Sequence, residues 1–223
     1  STEILRKRFY RRNILMLMNC RRITIDPAAA AMIEKRLETT PAIYPVTNSK
    51  IRKLLITSGT QSLNLSQIIR GPIPRSIMCC FVSAKALDNH ITKNPFFFQH
   101  FKNNYFNPTL NGNPIVPKVF QPDCANGYVM REYKWFLNNI GCFGQESVDI
   151  GYHDFLNNSF IYAFDLSPDL CNAYYLHGNE TGTFDLEIAF KEPLTENVNC
   201  IVYGSYNEYV TIDKDRNVTV VQA

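Results

Sequence analysis

The residues able to do chemistry are few and scattered. Four histidines, His90, His100, His153 and His177, stand far apart along the 223-residue chain, and no two are spaced as metal ligands. A metal site on a β-sandwich needs two histidines close on one strand, completed by a Glu and a third His. His153-Asp154 has the composition of a general base and its orienting carboxylate, but Tyr152 and Phe155 flank the pair on a short helix. A packed or surface imidazole is the expectation there. Cys124 and Cys171 are the candidate nucleophiles, yet no partner base can be named for either, so inert buried thiols are expected. Asp165, Asp169, Asp185 and Glu187 offer the paired carboxylates of glycoside hydrolysis. Asp185 and Glu187 stand two apart on one strand, on the face where solvent-facing charges belong, and Asp169 follows Pro168 in a turn signal. Tyr133-Lys134-Trp135 sets aromatics beside a cation, as nucleic-acid stacking does, but Tyr133 falls on the apolar face of a helix. There is no P-loop and no Gly-x-Gly-x-x-Gly. No catalytic, cofactor-binding or metal-ligating residue is assigned, and the chain is read as not an enzyme.

The elements carrying these residues centre on 158–212. Phe184, Leu186, Ile188 and Phe190 alternate with Thr183, Asp185, Glu187 and Lys191, the period of a half-buried antiparallel strand. Phe160–Leu166 and Val198–Tyr206 are β-branched and aromatic and are bounded by turn residues. Further strands are expected at 12–25 and at Lys50–Thr57. Ile77–Val82 is apolar on both faces and belongs between two layers or at a subunit contact. Tyr105–Leu110 and Ile115–Phe120 should pair through Asn111-Gly112, a turn that matches strand twist. A last hairpin joins Glu208–Ile212 to Asn217–Val221. Gln61–Ile69 reads as a partly extended loop. Helices are expected after the Asp26-Pro27 cap over Ala28–Leu37, at Ala84–Asn89, at Tyr128–Ile140 with Gly141 past its end, and at Asp149–Asn157. About eight antiparallel strands with short helices in a long inter-strand insertion predict an all-β jelly-roll sandwich. Its core should hold Phe160, Phe164, Phe184, Leu186, Ile188 and Phe190.

Charge and cysteine usage bound the rest. Net charge is +3, but Arg6, Lys7, Arg8, Arg11, Arg12, Arg21 and Arg22 crowd residues 1–22 against Glu3 alone. Such an arm can contact phosphates weakly, or dock on another domain. Seven cysteines without repeated spacing read as reduced thiols of an intracellular protein. Ile14–Met18 is too short to span a bilayer. The abrupt basic start without Met reads as a piece of a longer polypeptide, with 1–45 a connector strand and helix and 46–223 the jelly-roll domain.

Several stretches together resemble one family. They are Ile69-Arg-Gly-Pro-Ile-Pro-Arg-Ser-Ile-Met78, Asn94-Pro-Phe-Phe-Phe-Gln-His100, Gly127-Tyr-Val-Met-Arg-Glu-Tyr133, Tyr162-Ala-Phe-Asp-Leu-Ser-Pro-Asp-Leu170, and Gly182-Thr-Phe-Asp-Leu-Glu187 leading to Pro193-Leu194 and Val198–Tyr203. In this order the chain is similar to the double-jelly-roll major capsid (hexon-like) proteins of Polinton/Maverick elements and adintoviruses. The resemblance implies the C-terminal jelly roll of such a protein. It implies homotrimeric capsomers, contacts with other capsid subunits in an icosahedral virion around double-stranded DNA, assembly in the host cytoplasm or nucleus, no cofactor and no enzymatic activity. It departs from the family in extent, since 223 residues cannot hold two rolls. A transposable element's product, truncated, cleaved or domesticated by a host, would fit that departure. A carbohydrate- or receptor-binding jelly roll using rim loops such as Cys171–Thr181 is the rival reading, because the fold alone does not choose a function.

Overall fold

The computed structural model describes residues 24–88, 90–140, 150–167 and 180–222. The basic arm, residues 12–23 of the strand expected over 12–25, Gly141, Asp149, Asp169, Cys171 and His177 lie outside the described residues, and Thr24 and Ile25 are not in a strand. Helix α1, Pro27–Leu37, begins where the Asp26 carboxylate accepts the Ala28 N–H at 3.1 Å. Pro27 occupies the first turn, where its missing N–H has no helical partner to lose.

Nine strands follow among the described residues: β1 Ala42–Ile56, β2 Ser62–Pro72, β3 Ser76–Ser83, β4 Asn103–Leu110, β5 Asn113–Pro114, β6 Ile161–Asp165, β7 Thr181–Phe190, β8 Val198–Ile212 and β9 Val218–Gln222. One sheet runs β1-β8-β3-β6 with β9 alongside β8, and the other runs β2-β7-β4-β5. Pairs β1/β8, β2/β7, β3/β6 and β4/β5 are all antiparallel. They are nested like the rungs of one long hairpin, rolled so that successive rungs alternate between two sheets. That is the jelly roll, and the expected all-β sandwich is the observed fold.

Alternation drives the burial. On β7, Phe184, Leu186, Ile188 and Phe190 are buried while their neighbours are partly exposed. Phe160 and Phe164 join them, with Ile77, Cys79, Phe81 and Phe106. Phe106 stacks on Tyr162 with ring centroids 3.7 Å apart, which bonds the two sheets face to face. β3 is buried on both faces, as its unbroken apolar run requires.

Four strand expectations change. Residues 62–72 form β2, not a loop. Its alternation is broken by a bulge between Leu65 and Ile69, where Gln67 sits at φ +53°. β1 starts at Ala42 rather than Lys50, because an edge strand exposed to solvent carries polar residues that hide its period. Val198–Tyr206 and Glu208–Ile212 are one 15-residue strand, β8. β5 is only two residues long, since Pro114 and Pro117 cannot donate to a ladder. The Asn111-Gly112 turn is where it was expected, with both residues at positive φ. Phe106 and Phe120 still exchange backbone hydrogen bonds at 3.0 and 3.2 Å.

The connection from β5 to β6 carries α3, Met130–Asn139, and α4, Tyr152–Asn158; α2, Ala84–Leu87, is a single turn after β3. Phe136 of α3 meets Phe155 of α4 at 5.3 Å, and Phe155 meets the core ring Phe160 at 5.0 Å. The insertion is thus welded to the sandwich through aromatic contacts.

Candidate functional site

Among the described residues, the potentially reactive groups are not brought together. His153 and Asp154 are both exposed on α4, with His153 edge-on to Tyr152 at 5.8 Å. His90 is exposed and bonded to the Thr92 hydroxyl at 2.9 Å. His100 packs edge-on against Phe160, accepts the Lys102 N–H at 2.9 Å, and is held below its ordinary pKa by burial and then by Lys102. Among the described residues, no three His, Cys, Asp or Glu side chains converge on a point that could hold a metal.

Cys79, Cys80, Cys124 and Cys200 are free and buried. Burial pushes the Cys80 and Cys124 thiols up to about 12 and raises Cys79 and Cys200 as well. A thiol needs a lowered pKa to act as a nucleophile. These four are core side chains.

The carboxylates have structural tasks. Asp185 accepts the Gln67 N–H at 2.5 Å and so closes the β2 bulge, and Glu187 accepts from Asn107 at 3.0 Å and Tyr105 at 3.3 Å. Asp165, one of the four candidate carboxylates, is buried at the end of β6. There it accepts the Ser167 N–H and hydroxyl at 2.9 and 2.6 Å. A strand-end carboxylate that caps its own turn is consumed locally, which a period-2 pattern does not reveal. Tyr133 packs on Tyr152 and Phe155 and donates to the Ile150 carbonyl at 2.9 Å, so it belongs to the helix core face and not to a stacking platform.

Two surfaces remain apolar. β1, β8 and β9 run on past the smaller sheet, and their register sets Tyr44, Val210 and Val220 in one row and Ala42, Ile212 and Val218 in the next. These residues share the parity of Cys200, Val202 and Tyr206, so they continue the core face of β8 beyond the sandwich. Tyr44, Val218 and Val220 are 53%, 63% and 60% exposed. The sheet order ends at β1, which leaves its outer edge unpaired among the described residues. The second surface is the 94–98 turn. Phe98 is tied to Asn158 and Phe160 through its backbone, but Phe96 is 76% exposed. Of the Phe96–Phe98 cluster, then, one end is an anchor and the other is presented to solvent.

The insertion also forms an open groove of about 530 Å³ lined by Lys118, Tyr128, Met130, Arg131, Glu132 and Tyr152. Glu132 had no place in the sequence-derived site. Its signal was its position, three residues after Val129 and four before Phe136, on the apolar stripe of α3. No helix among the described residues is long and apolar enough to cross a membrane.

No family model matches the chain. A Caenorhabditis elegans protein described as uncharacterized is 23% identical over 197 residues, which cover 86% of this chain and 46% of that protein. The crystal structure of PBCV-1 VP54, fitted into a reconstruction of the virophage Sputnik, matches at a TM-score of 0.51 and 11% identity, over 89% of this chain and 55% of that one. The mavirus major capsid protein matches at a TM-score of 0.39 and 9% identity, over 82% and 41% of the two chains. The chain spans about half the length of the proteins it matches, and the likeness to VP54 shows a shared fold.

Proposed function

We propose that this chain is the C-terminal jelly roll of a double-jelly-roll major capsid protein of the Polinton/Maverick–adintovirus kind. Its role is structural and non-enzymatic. Residues 1–45 lead in from a first roll, and 46–223 form the second. Two-roll subunits associate as homotrimers of pseudo-hexagonal outline, which tile a virion shell. The basic arm adds a weak, salt-sensitive contact with packaged DNA.

One observation carries the reading. The stretches that resemble the family fall in order on successive parts of the roll: the β2–β3 corner, the Phe96 turn, the entry to α3, then β6, β7 and β8. The fold shared with PBCV-1 VP54, at a TM-score of 0.51, supports the same reading. The uncovered β1-β8-β9 face and the exposed Phe96 add apolar surface of the kind that subunit contacts use.

Light scattering with negative-stain microscopy, on the polypeptide carrying both rolls, tests the proposal. A threefold mass and a pseudo-hexagonal outline are expected. A strictly monomeric species at high concentration would overturn it.

A further inference from the structure

A small pocket of about 80 Å³ lies where β1 and β2, the outer strands of the two sheets, come together beside β8. Its lining includes Lys50 and Arg52 of β1, Arg70 of β2, and Val202 and Tyr206 of β8. Lys50 stands opposite Gly204 and Arg52 opposite Val202, so both lie on the face of β1 that carries Leu54 and Ile56 into the core. Gly204 lets Pro74 and the Tyr206 ring close over the strand, since a Cβ there would stand 3.2 Å from each. The Lys50 ammonium lies over that ring, 4.6 Å from its centroid.

These charges have no counterpart. Lys50, Arg52 and Arg70 form no ion pair among the described residues, and no acid lines the pocket. Glu208, the next side chain on this face of β8, gives each of its oxygens to Asn48 at 3.0 Å. Like charges gathered against a partly apolar wall repel, and an entering anion removes that cost.

Tyr206 adds a neutral donor. It is 7% exposed, and its hydroxyl has no hydrogen-bond partner among the described residues. Burial raises its pKa and Arg52 opposes the rise, so at neutral pH the phenol is protonated. The pocket therefore lacks a compact acceptor of high negative charge. Its volume is small against the roughly 300–1,000 Å³ of sites for drug-sized ligands. A carboxylate brings one charge, whereas a phosphate monoester brings close to two, with three acceptor oxygens.

We propose that this pocket binds a phosphate group, held by Lys50, Arg52 and the Tyr206 hydroxyl with Arg70 at its rim. The group belongs either to free phosphate or to a small phosphate monoester. The pocket is built by this roll alone, whether or not the roll joins a capsid.

An amide NMR titration with inorganic phosphate near neutral pH, against sodium chloride at matched ionic strength, tests it. Saturable shifts are expected at Lys50, Arg52, Gly71 and Tyr206 with phosphate and not with chloride. Lys50→Gln and Arg52→Gln, both at exposed positions, should each weaken binding by about threefold or more. Tyr206→Phe keeps the ring and every charge and should weaken it by about threefold through the lost hydroxyl bond. Shifts that do not saturate, that chloride reproduces, or that persist unchanged in all three variants would overturn the proposal. Lys50 and Arg52 would then be inward charges that guard the β1 edge. Tighter binding of a thymidine oligonucleotide than of phosphate would also overturn it, in favour of a nucleic-acid contact. Methyl phosphate identifies the source: binding as tight as that of inorganic phosphate assigns the group to a monoester, and weaker binding assigns it to free phosphate.

Discussion

Phe106 is the side chain whose loss should cost the sandwich most. It is fully buried in β4, opposite Ile188 of β7, yet it stacks on Tyr162 of the other sheet at 3.7 Å and meets Phe81 edge-on at 6.4 Å. Its backbone exchanges two hydrogen bonds with Phe120, whose ring lies 5.7 Å from Trp135 of α3. Phe106→Ala keeps the backbone bonds and removes the ring that joins the sheets. Truncating a buried Phe costs about 3–5 kcal/mol through lost transfer energy and the cavity left behind. The stacked and edge-on partners place this site near the top of that range. At roughly 2–4 °C per kcal/mol for a domain of this size, the melting temperature should fall by about 10–15 °C. Urea and thermal unfolding, followed by far-ultraviolet circular dichroism, measure both quantities. Phe96→Ser, at a ring 76% exposed, is the control and should stay within about 0.5 kcal/mol of wild type. A loss below about 1 kcal/mol for Phe106→Ala, or one matched by Phe96→Ser, would refute the claim that this ring joins the sheets.

The remaining predictions concern other levels of the structure. Peptides containing Cys79, Cys80, Cys124 and Cys200 should resist alkylation in the native protein and react after denaturation, because burial raises all four thiols, with Cys80 and Cys124 near 12. Mass spectrometry of labelled peptides checks this, and fast native labelling at any of the four would contradict the packing. A Cβ at Gly182 would stand 2.3 Å from the Asn111 Oδ1 that accepts the Thr183 N–H at 2.8 Å. Gly182→Ala should therefore break that bond and lower stability by about 1–2 kcal/mol in urea melts. Burial raises the Glu132 pKa, with its own N–H and Arg131 opposing, so its stability contribution is complete below the ordinary carboxyl pKa and is lost as pH rises through the folded value. The melting temperature of Glu132→Gln minus that of wild type should grow from pH 4 to pH 8. A flat difference would show that the carboxylate's own N–H and the Arg131 charge keep it ionised without cost.

Most of the fold was legible wherever one face of an element is buried and the other is not. The alternation of 183–191 and the Asp26-Pro27 cap have local physical causes, and both elements stand where those causes put them. Asn111-Gly112 likewise needs only its two positive φ angles to make a tight hairpin. What escaped depends on distant partners. The β2 bulge is closed by Asp185, more than a hundred residues away, so 61–69 has no local sign of being a strand. β1 keeps its length because β8 pairs with it residue by residue, not because Pro45, Asn48 and Lys50 favour strand. Asp165 and Glu132 look like ordinary surface acids in one dimension. Their burial is set by Ser167 and Asn139 in one case and by the packing of α3 on the sandwich in the other.

The buried polar groups also show how the described part of the chain uses its Asn, Tyr and Asp side chains. Asn103 spends its amide on the Tyr105 and Ala189 carbonyls and its oxygen on the Tyr162 hydroxyl, so one side chain ties β4 to β7 in its own sheet and to β6 in the other. Asn139 of α3 donates to the Trp135 carbonyl and accepts the Asp165 N–H, which pins the insertion to the end of β6. A catalytic group must keep a free lone pair or proton aimed at a space that substrate can enter. These groups have neither, because architecture has used them. Ser83 and the amide of Asn199 are buried without partners but are neutral. Among the described buried acids, Glu132 is held by its own N–H and by the charge of Arg131.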